Sequence, residues 1–143
     1  MKSKSPLAPK KNKNLNLFEG ISVSSTSCGL KKNKKLDLVL IKLNEPGPIL
    51  GSFTKSKTPG EPIIWNKSIK KKKKVSAILI NSGNANVFTG PLGKKAILDI
   101  LNKLSFYLDI PKNQIFLAST GVIGEPLDSK KIIRKIPLLI KSL

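Results

Sequence analysis

The run Val75-Ser76-Ala77-Ile78-Leu79-Ile80 constrains this chain more than any other stretch. It is apolar at every position but one, so it reads as a strand buried inside a domain. It breaks off abruptly into Asn81-Ser82-Gly83-Asn84-Ala85-Asn86. A helix is expected next, with Thr89 as its cap and Pro91 in its first turn. Leu92, Ala96, Ile97, Ile100, Leu101, Leu104 and Leu108 then recur at helical spacing and make one apolar stripe for core packing. That helix should stop before Pro111. Gln114-Ile115-Phe116-Leu117-Ala118 reads as a short strand, and residues 119–126 as a glycine-bounded loop. A last helix opens near Asp128 or Ser129 and carries Ile132, Ile133 and Ile136, with Pro137 disturbing it. Beyond it, Leu138, Leu139 and Ile140 need cover.

Upstream, residues 21–25 alternate apolar with polar and suit a strand. Residues 29–35 form a basic turn, and residues 36–43 are β-rich and about one strand long. Asn44-Glu45-Pro46-Gly47-Pro48 has strong turn chemistry, after which residues 49–53 are expected to return as an antiparallel strand. Residues 54–62 read as a loop, and Ile63-Ile64-Trp65 as a further short strand. Strands followed by strand–helix–strand–helix define a mixed α/β class. The 143 residues suit one domain, which at this size buries roughly 70% of its unfolded surface. Residues 1–17 are expected to form a basic N-terminal arm, and residues 18–143 a single α/β segment.

The chain has no histidine, which removes Ser-His-Asp and Cys-His catalysis and the commonest metal ligand. Cys28 is the single cysteine, so no internal disulfide and no Cys-based zinc site can form. Next to Gly29 and with no base to activate it, Cys28 reads as a small core-like thiol. The start is basic but lacks an apolar segment of signal-peptide type, and no apolar run is long enough to span a membrane. The expectation is a cytoplasmic, soluble, metal-free protein with no resident cofactor.

The net charge of +19 invites a lysine-rich nucleic-acid-binding protein as the alternative reading. Of the cations, Arg134 is the only arginine, although planar bidentate recognition favours arginine. The few aromatics do not interleave with the basic runs as a stacking platform would. The chain also holds 17 Ile and 11 Asn, which like Lys have A/T-rich codons, so genome composition accounts for the charge without a polyanion partner. The lysine run at 70–74 reads as a solvated loop. Gly93-Lys94 lacks the flanking residues of a phosphate-binding loop. Gly121-Val122-Ile123-Gly124 has the spacing of an RNA-clamping loop, but Thr120 and Glu125 flank it where cations are needed.

Two stretches remain, each following a strand and each dense in small polar residues and glycine. The three asparagines of residues 81–86 suit a structural corner, because Asn bonds to nearby backbone and tolerates left-handed geometry. Ser119-Thr120-Gly121 suits either a structural turn or a pair of donors. Glycine lets a backbone N–H approach a ligand, and Thr120 adds a hydroxyl. Two such donors aimed at one point make an oxyanion hole.

Asn81-Ser82-Gly83-Asn84-Ala85-Asn86 followed by Thr89-Gly90, then Ala118-Ser119-Thr120-Gly121-Val122-Ile123-Gly124-Glu125-Pro126-Leu127, resembles the ornithine acetyltransferase (ArgJ) family of arginine biosynthesis. Pro6-Leu7-Ala8-Pro9, Cys28-Gly29-Leu30-Lys31 before Asp37-Leu38, and Gly51-Ser52-Phe53-Thr54 leading to Pro62 echo the same family, so the resemblance spans the chain. It implies the N-terminal (alpha-chain) part of an ArgJ/DmpA-like layered α/β sandwich, incomplete at its C-terminal side. It implies acetyl transfer from N-acetylornithine to glutamate, with acetyl-CoA a co-substrate of some members.

Members cut themselves into two chains. The new N-terminal threonine of the second is the nucleophile, activated through its own amine. Thr120 and Gly121 take the positions of the family's oxyanion-hole pair. No match to the cleavage junction or to the nucleophile occurs in these residues. The expected partner is therefore a C-terminal (beta) chain, in a hetero-tetramer, and these residues alone are expected to be an inactive fragment. Two departures stand out. Val87-Phe88 replaces smaller residues before Thr89-Gly90, and Gly60-Glu61 stands where two alanines are usual before Pro62.

Overall fold

The computed structural model describes residues 18–69 and 74–143. The basic arm expected at 1–17, and residues 70–73 of the lysine run, lie outside the described residues. The described chain builds β1 (Ile21–Thr26), β2 (Leu38–Pro48), α1 (Glu61–Ile69), β3 (Lys74–Asn84), α2 (Gly90–Leu108), β4 (Ile115–Val122) and α3 (Ser129–Lys141). The strands form one sheet in the order β1-β2-β3-β4. β2 runs antiparallel to both β1 and β3, while β3 and β4 are parallel. A parallel pair needs a crossover, and α2 supplies it. The mixed α/β class is as expected.

Register places Ser24, Leu40, Leu79 and Leu117 in one row across the sheet. With period two, Leu38, Ala77 and Ile115 share that face. α2 and α3 cover it. The buried members of the α2 stripe are Ala96, Ile97, Ile100, Leu101 and Leu104, whereas Leu92 is exposed. α3 contributes Ile132, Ile136 and Leu139, the first two with no solvent exposure. Full burial of an Ile or Leu side chain stabilises by about 1.5–3 kcal/mol, so this two-layer contact dominates the energetics.

Asp128 caps α3, its carboxylate accepting from the Lys131 N–H. Pro137, expected to disturb this helix, lies inside it without ending it. It sits on the exposed side, where the carbonyl it leaves without a donor can meet water, while Ile136 and Leu139 hold the next turn in the core. Of the three residues expected to need cover, Leu139 is buried, Ile140 half-buried and Leu138 exposed.

Four expected elements differ. Residues 119–122, expected to open a glycine-bounded loop, continue β4 as far as Val122. Residues 44–48 do not turn the chain back. β2 continues through them, and its pairing with β3 jumps from Lys42–Ala77 to Gly47–Val75. The residues between are looped out of the ladder, so the missing donor of Pro46 costs no pairing. Residues 49–53 consequently form no strand, and Leu50 is almost wholly exposed.

Ile63-Ile64-Trp65 is helical, within α1. Pro62 suits a first turn and Glu61 complements the helix N-terminus. The buried positions Pro62, Asn66 and Ile69 follow helical spacing, but one of the three is polar, which hides the stripe. α1 lies along the free edge of β4. The Asn66 carboxamide donates to the Leu117 carbonyl (2.8 Å) and accepts from the Leu117 N–H (3.1 Å), as a neighbouring strand would. Trp65 Nε1 donates to the Ile115 carbonyl at 2.9 Å. The edge is thereby closed to further strand addition.

The opposite sheet face is different. Val23 is 44% exposed, Val39, Ile41, Ile78 and Ile80 are half-buried, and Ala118 is exposed. On this face Trp65 and Ile69 of α1 pack with Phe116 and Ile78, and no helical layer comparable to α2 and α3 covers the rest. Among the described residues, no helix is long and apolar enough to cross a membrane.

Candidate functional site

Because β3 and β4 are parallel, the asparagine-rich motif and the Ser-Thr-Gly motif leave the sheet at the same end. Crevices at the carboxyl ends of parallel strands are the usual ligand sites of α/β sheets. Asn81 faces Ser119, Ser82 faces Thr120 and Gly83 faces Gly121. Asn84 then pairs with both Thr120 and Val122, so the ladder slips. A bulge of this kind re-aims the side chains around it.

Two glycines make the slip possible. Gly83 has φ +114° and Gly121 φ +132°, conformations that L side chains rarely adopt. A Cβ at Gly121 would overlap the backbone of Gly83 and Asn84, and one at Gly83 would stand 2.9 Å from the Leu30 carbonyl oxygen. Three backbone segments are therefore stacked at less than side-chain distance: residue 30 on 83, and 83 on 121.

The asparagines support this stack. Asn81 Nδ2 donates to the Asn84 carbonyl (2.8 Å), and Asn81 Oδ1 accepts from Ser119 Oγ (2.6 Å). Asn84 Nδ2 donates to the Glu125 carbonyl at 2.9 Å, and its Oδ1 accepts from the Asn86 N–H at 2.8 Å. Asn86, fully buried, donates to the Gly93 carbonyl and accepts from Thr89 Oγ1 at 2.7 Å. Thr89 thus spends its hydroxyl on Asn86, and its expected bond to the N-terminus of α2 is not made. The structural reading of residues 81–86 accounts for all three asparagines.

Thr120 and Gly121 are arranged otherwise. Both are exposed, and the Thr120 hydroxyl has no partner among the described residues. Period two puts Thr120 on the open apolar face, in line with Ala118 and beside Ser82. The two expected site residues therefore sit together on an accessible bulge, outside ordinary packing. They also sit outside the cavity of about 420 Å³ between α1 and α2, which Glu61, Trp65 and Lys94 help to line. They lie on an open surface, not in an enclosed pocket.

Ser119 is engaged with Asn81. Cys28 is buried, and burial together with the Asp37 carboxylate pushes its thiol up to about 11, so it stays protonated at neutral pH. The expectation of a core-like cysteine agrees with this.

Asp37 itself carried no role in the sequence. It is 3% exposed and collects three backbone N–H groups: Cys28 (2.6 Å), Gly29 (3.1 Å) and Lys31 (2.9 Å). Burial alone would raise its carboxyl, but donation from Cys28 and Lys31 outweighs this and holds it below its usual value. The signals available were a hydrophilic residue at the head of an apolar strand and the family echo that pairs Cys28-Gly29-Leu30-Lys31 with Asp37-Leu38.

The two departures from the family pattern meet in space. A Cβ at Gly60 would come within 2.9 Å of Val87 Cγ2. The larger residue at 87 occupies the volume that an alanine at 60 would need. The same segment is tied to the motif by the Glu61 N–H, which donates to the Asn86 carbonyl at 3.0 Å.

Comparison with known proteins places these features. The ArgJ family profile matches residues 22–143. The arginine biosynthesis bifunctional protein ArgJ of Bradyrhizobium diazoefficiens is 37% identical over 129 residues, which are 90% of this chain and 31% of that protein. Its counterpart in Gluconobacter oxydans is 39% identical over 119 residues, 82% of this chain and 28% of that protein. The crystal structure of ArgJ from Bacillus halodurans superposes with a TM-score of 0.78 at 28% identity, covering 82% of this chain and 62% of that chain. The ornithine acetyltransferase of Mycobacterium tuberculosis, solved with ornithine, shares the fold with a TM-score of 0.82 at 24% identity, covering 86% of this chain and 67% of that one. The chain spans about a third of the length of the curated relatives it matches.

Proposed function

The chain belongs to the ArgJ family, and from that premise we propose that it is the N-terminal segment of an acetyltransferase that moves acetyl from N-acetylornithine to glutamate. Its contribution is the oxyanion hole formed by Thr120 and Gly121. The observation that carries this reading is the bulge: a glycine at φ +132° followed back to an exposed, unpartnered threonine hydroxyl, at the carboxyl end of a parallel strand pair.

In this mechanism a threonine hydroxyl from outside these 143 residues attacks the acetyl carbonyl carbon. The carbonyl π electrons move onto oxygen, and the Thr120 hydroxyl and Gly121 N–H donate to that oxyanion. Collapse expels the ornithine amine, which takes a proton, and leaves acetyl on the threonine. The α-amine of glutamate attacks the same carbonyl carbon, the oxyanion forms again between the same donors, and N-acetylglutamate departs. Each donor is worth about 2.7–4 kcal/mol of barrier in comparable sites. The terminal amine of that threonine acts as base.

A second chain as partner is supported by two observations. The open face bearing Val23, Ile41, Ile80 and Thr120 has the apolar character of a surface that a further layer covers. The aligned stretch is also 31% of the Bradyrhizobium sequence but 62% of the Bacillus crystallographic chain, so that chain is about half as long as the relatives' full sequences. Two copies of each chain would make the family's hetero-tetramer.

Acetyl transfer from ¹³C-acetyl-labelled N-acetylornithine to glutamate, assayed with the chain alone and with the C-terminal segment that completes it, tests the reading. Transfer is expected only in the completed enzyme, with label trapped on its terminal threonine. Transfer by these residues alone, or none by the completed enzyme, overturns it.

A further inference from the structure

We propose that Asp37 is the positioning residue for Thr120 and Gly121, acting through the turn at 28–31 and through Gly83; this rests on the oxyanion-hole reading given above. The contacts from Asp37 to Gly121 form a chain with no slack in it. The Asp37 carboxylate accepts the N–H groups of Cys28, Gly29 and Lys31 at 2.6, 3.1 and 2.9 Å, which closes residues 28–31 into a tight turn around one buried charge. Leu30, inside that turn, lays its backbone against Gly83, so closely that a single Cβ would stand 2.9 Å from its carbonyl oxygen. Gly83 in turn lies against Gly121 with no room for a methyl group. Contacts between backbones do not relax as side chains do, so displacement at one end is passed to the other.

The main chain of Asp37 makes a second, parallel link. Its carbonyl accepts from the Ser82 N–H at 2.8 Å, and its N–H donates to the Thr26 carbonyl at 3.2 Å. Ser82 is the register partner of Thr120. One residue thus holds both strand positions that face the donor pair: Ser82 directly, and Gly83 through the turn. Asp37 touches neither substrate nor Thr120, so its role is to set where the two donors point. Donor placement matters steeply, because an oxyanion contact is productive only near hydrogen-bond length.

Asp37→Asn keeps the size but turns one acceptor oxygen into a donor facing the Gly29 and Lys31 N–H groups. The first experiment is amide NMR on the ¹⁵N-labelled chain. The Gly83 and Gly121 signals are expected to move along with those of Cys28, Gly29 and Lys31, while Leu117, held by Asn66, stays in place. Movement confined to residues 28–31 overturns the proposal.

If the variant does not fold, native-state hydrogen exchange on the parent chain replaces it. The N–H groups of Cys28, Lys31, Ser82 and Ala85 are expected to open as one unit, and independent opening of Ser82 and Ala85 overturns the proposal. In the completed transferase, Asp37→Asn should lower kcat about tenfold and change KM less than twofold. In a Thr120→Ala background the same change should cost about twofold. A full tenfold loss in both backgrounds rejects action through Thr120. A parent enzyme without acetyl transfer would falsify the enzymatic reading alone, since the NMR result reads the relay without it.

Discussion

The ends of β3 and β4 are built from similar residues and do opposite things. Residues 81–86 turn their carboxamides inward, and each finds partners at 2.6–3.2 Å. Residues 120 and 121 are exposed, and the one side-chain hydroxyl there has no partner among the described residues. Small polar residues after a strand therefore announce no role by themselves. What separates scaffold from site is the hydrogen-bond account: a satisfied group holds the fold, and an accessible unsatisfied one is available to a ligand.

Three substitutions probe this contrast. Gly121→Ala should have the largest effect, since it adds strain at φ +132° to an overlap with backbone that cannot move aside. A loss of about 4 kcal/mol in urea unfolding is expected from the two effects together. A variant that melts within about 1 kcal/mol of the parent would show that the stack at 83 and 121 is soft.

Thr120→Ala comes next, and its effect lies in the chemistry. Acetyl transfer by the completed enzyme should slow by about 10²–10³, with stability changed by no more than about 0.5 kcal/mol. Unaltered turnover would move residue 120 to the scaffold side of the comparison. Asn86→Ala should be the mildest, costing about 2 kcal/mol of stability by leaving the Gly93 carbonyl and the Thr89 hydroxyl without their partner. A thermal melt matching the parent, paired with lost activity, would make Asn86 a site residue and erase the distinction.

How much of this could be read beforehand depended on whether local pattern and tertiary context agreed. β1, β3, α2 and α3 were readable, because their apolar spacing is what the core uses. The joining of two separated motifs at one sheet end followed once both were seen to end strands. α1 was not readable, since two β-branched residues, Ile63 and Ile64, imitate a strand, and one of its buried positions is Asn66, whose value lies in bonding the edge of β4. The prolines at 46 and 48 carry turn chemistry, but Pro46 lies in a bulge of β2 and Pro48 pairs with Lys74. Asp37 stood in the family echo with residues 28–31, but its role was not readable, because its partners are backbone amides that sequence does not distinguish. The Thr120–Gly121 assignment came from family resemblance. The bulge that makes it physically sensible depends on a register no single strand encodes.

Gly60 and Val87 carry a last consequence. The Val87 side chain fills the volume that a Cβ at position 60 would need, so position 60 cannot gain a side chain unless residue 87 gives way. A chimera that imports this loop into a relative with alanine at the first position would jam there, unless both residues travel as a set. Homologous exchange within this fold must respect such interlocks, even where the swapped residues lie 27 apart along the chain.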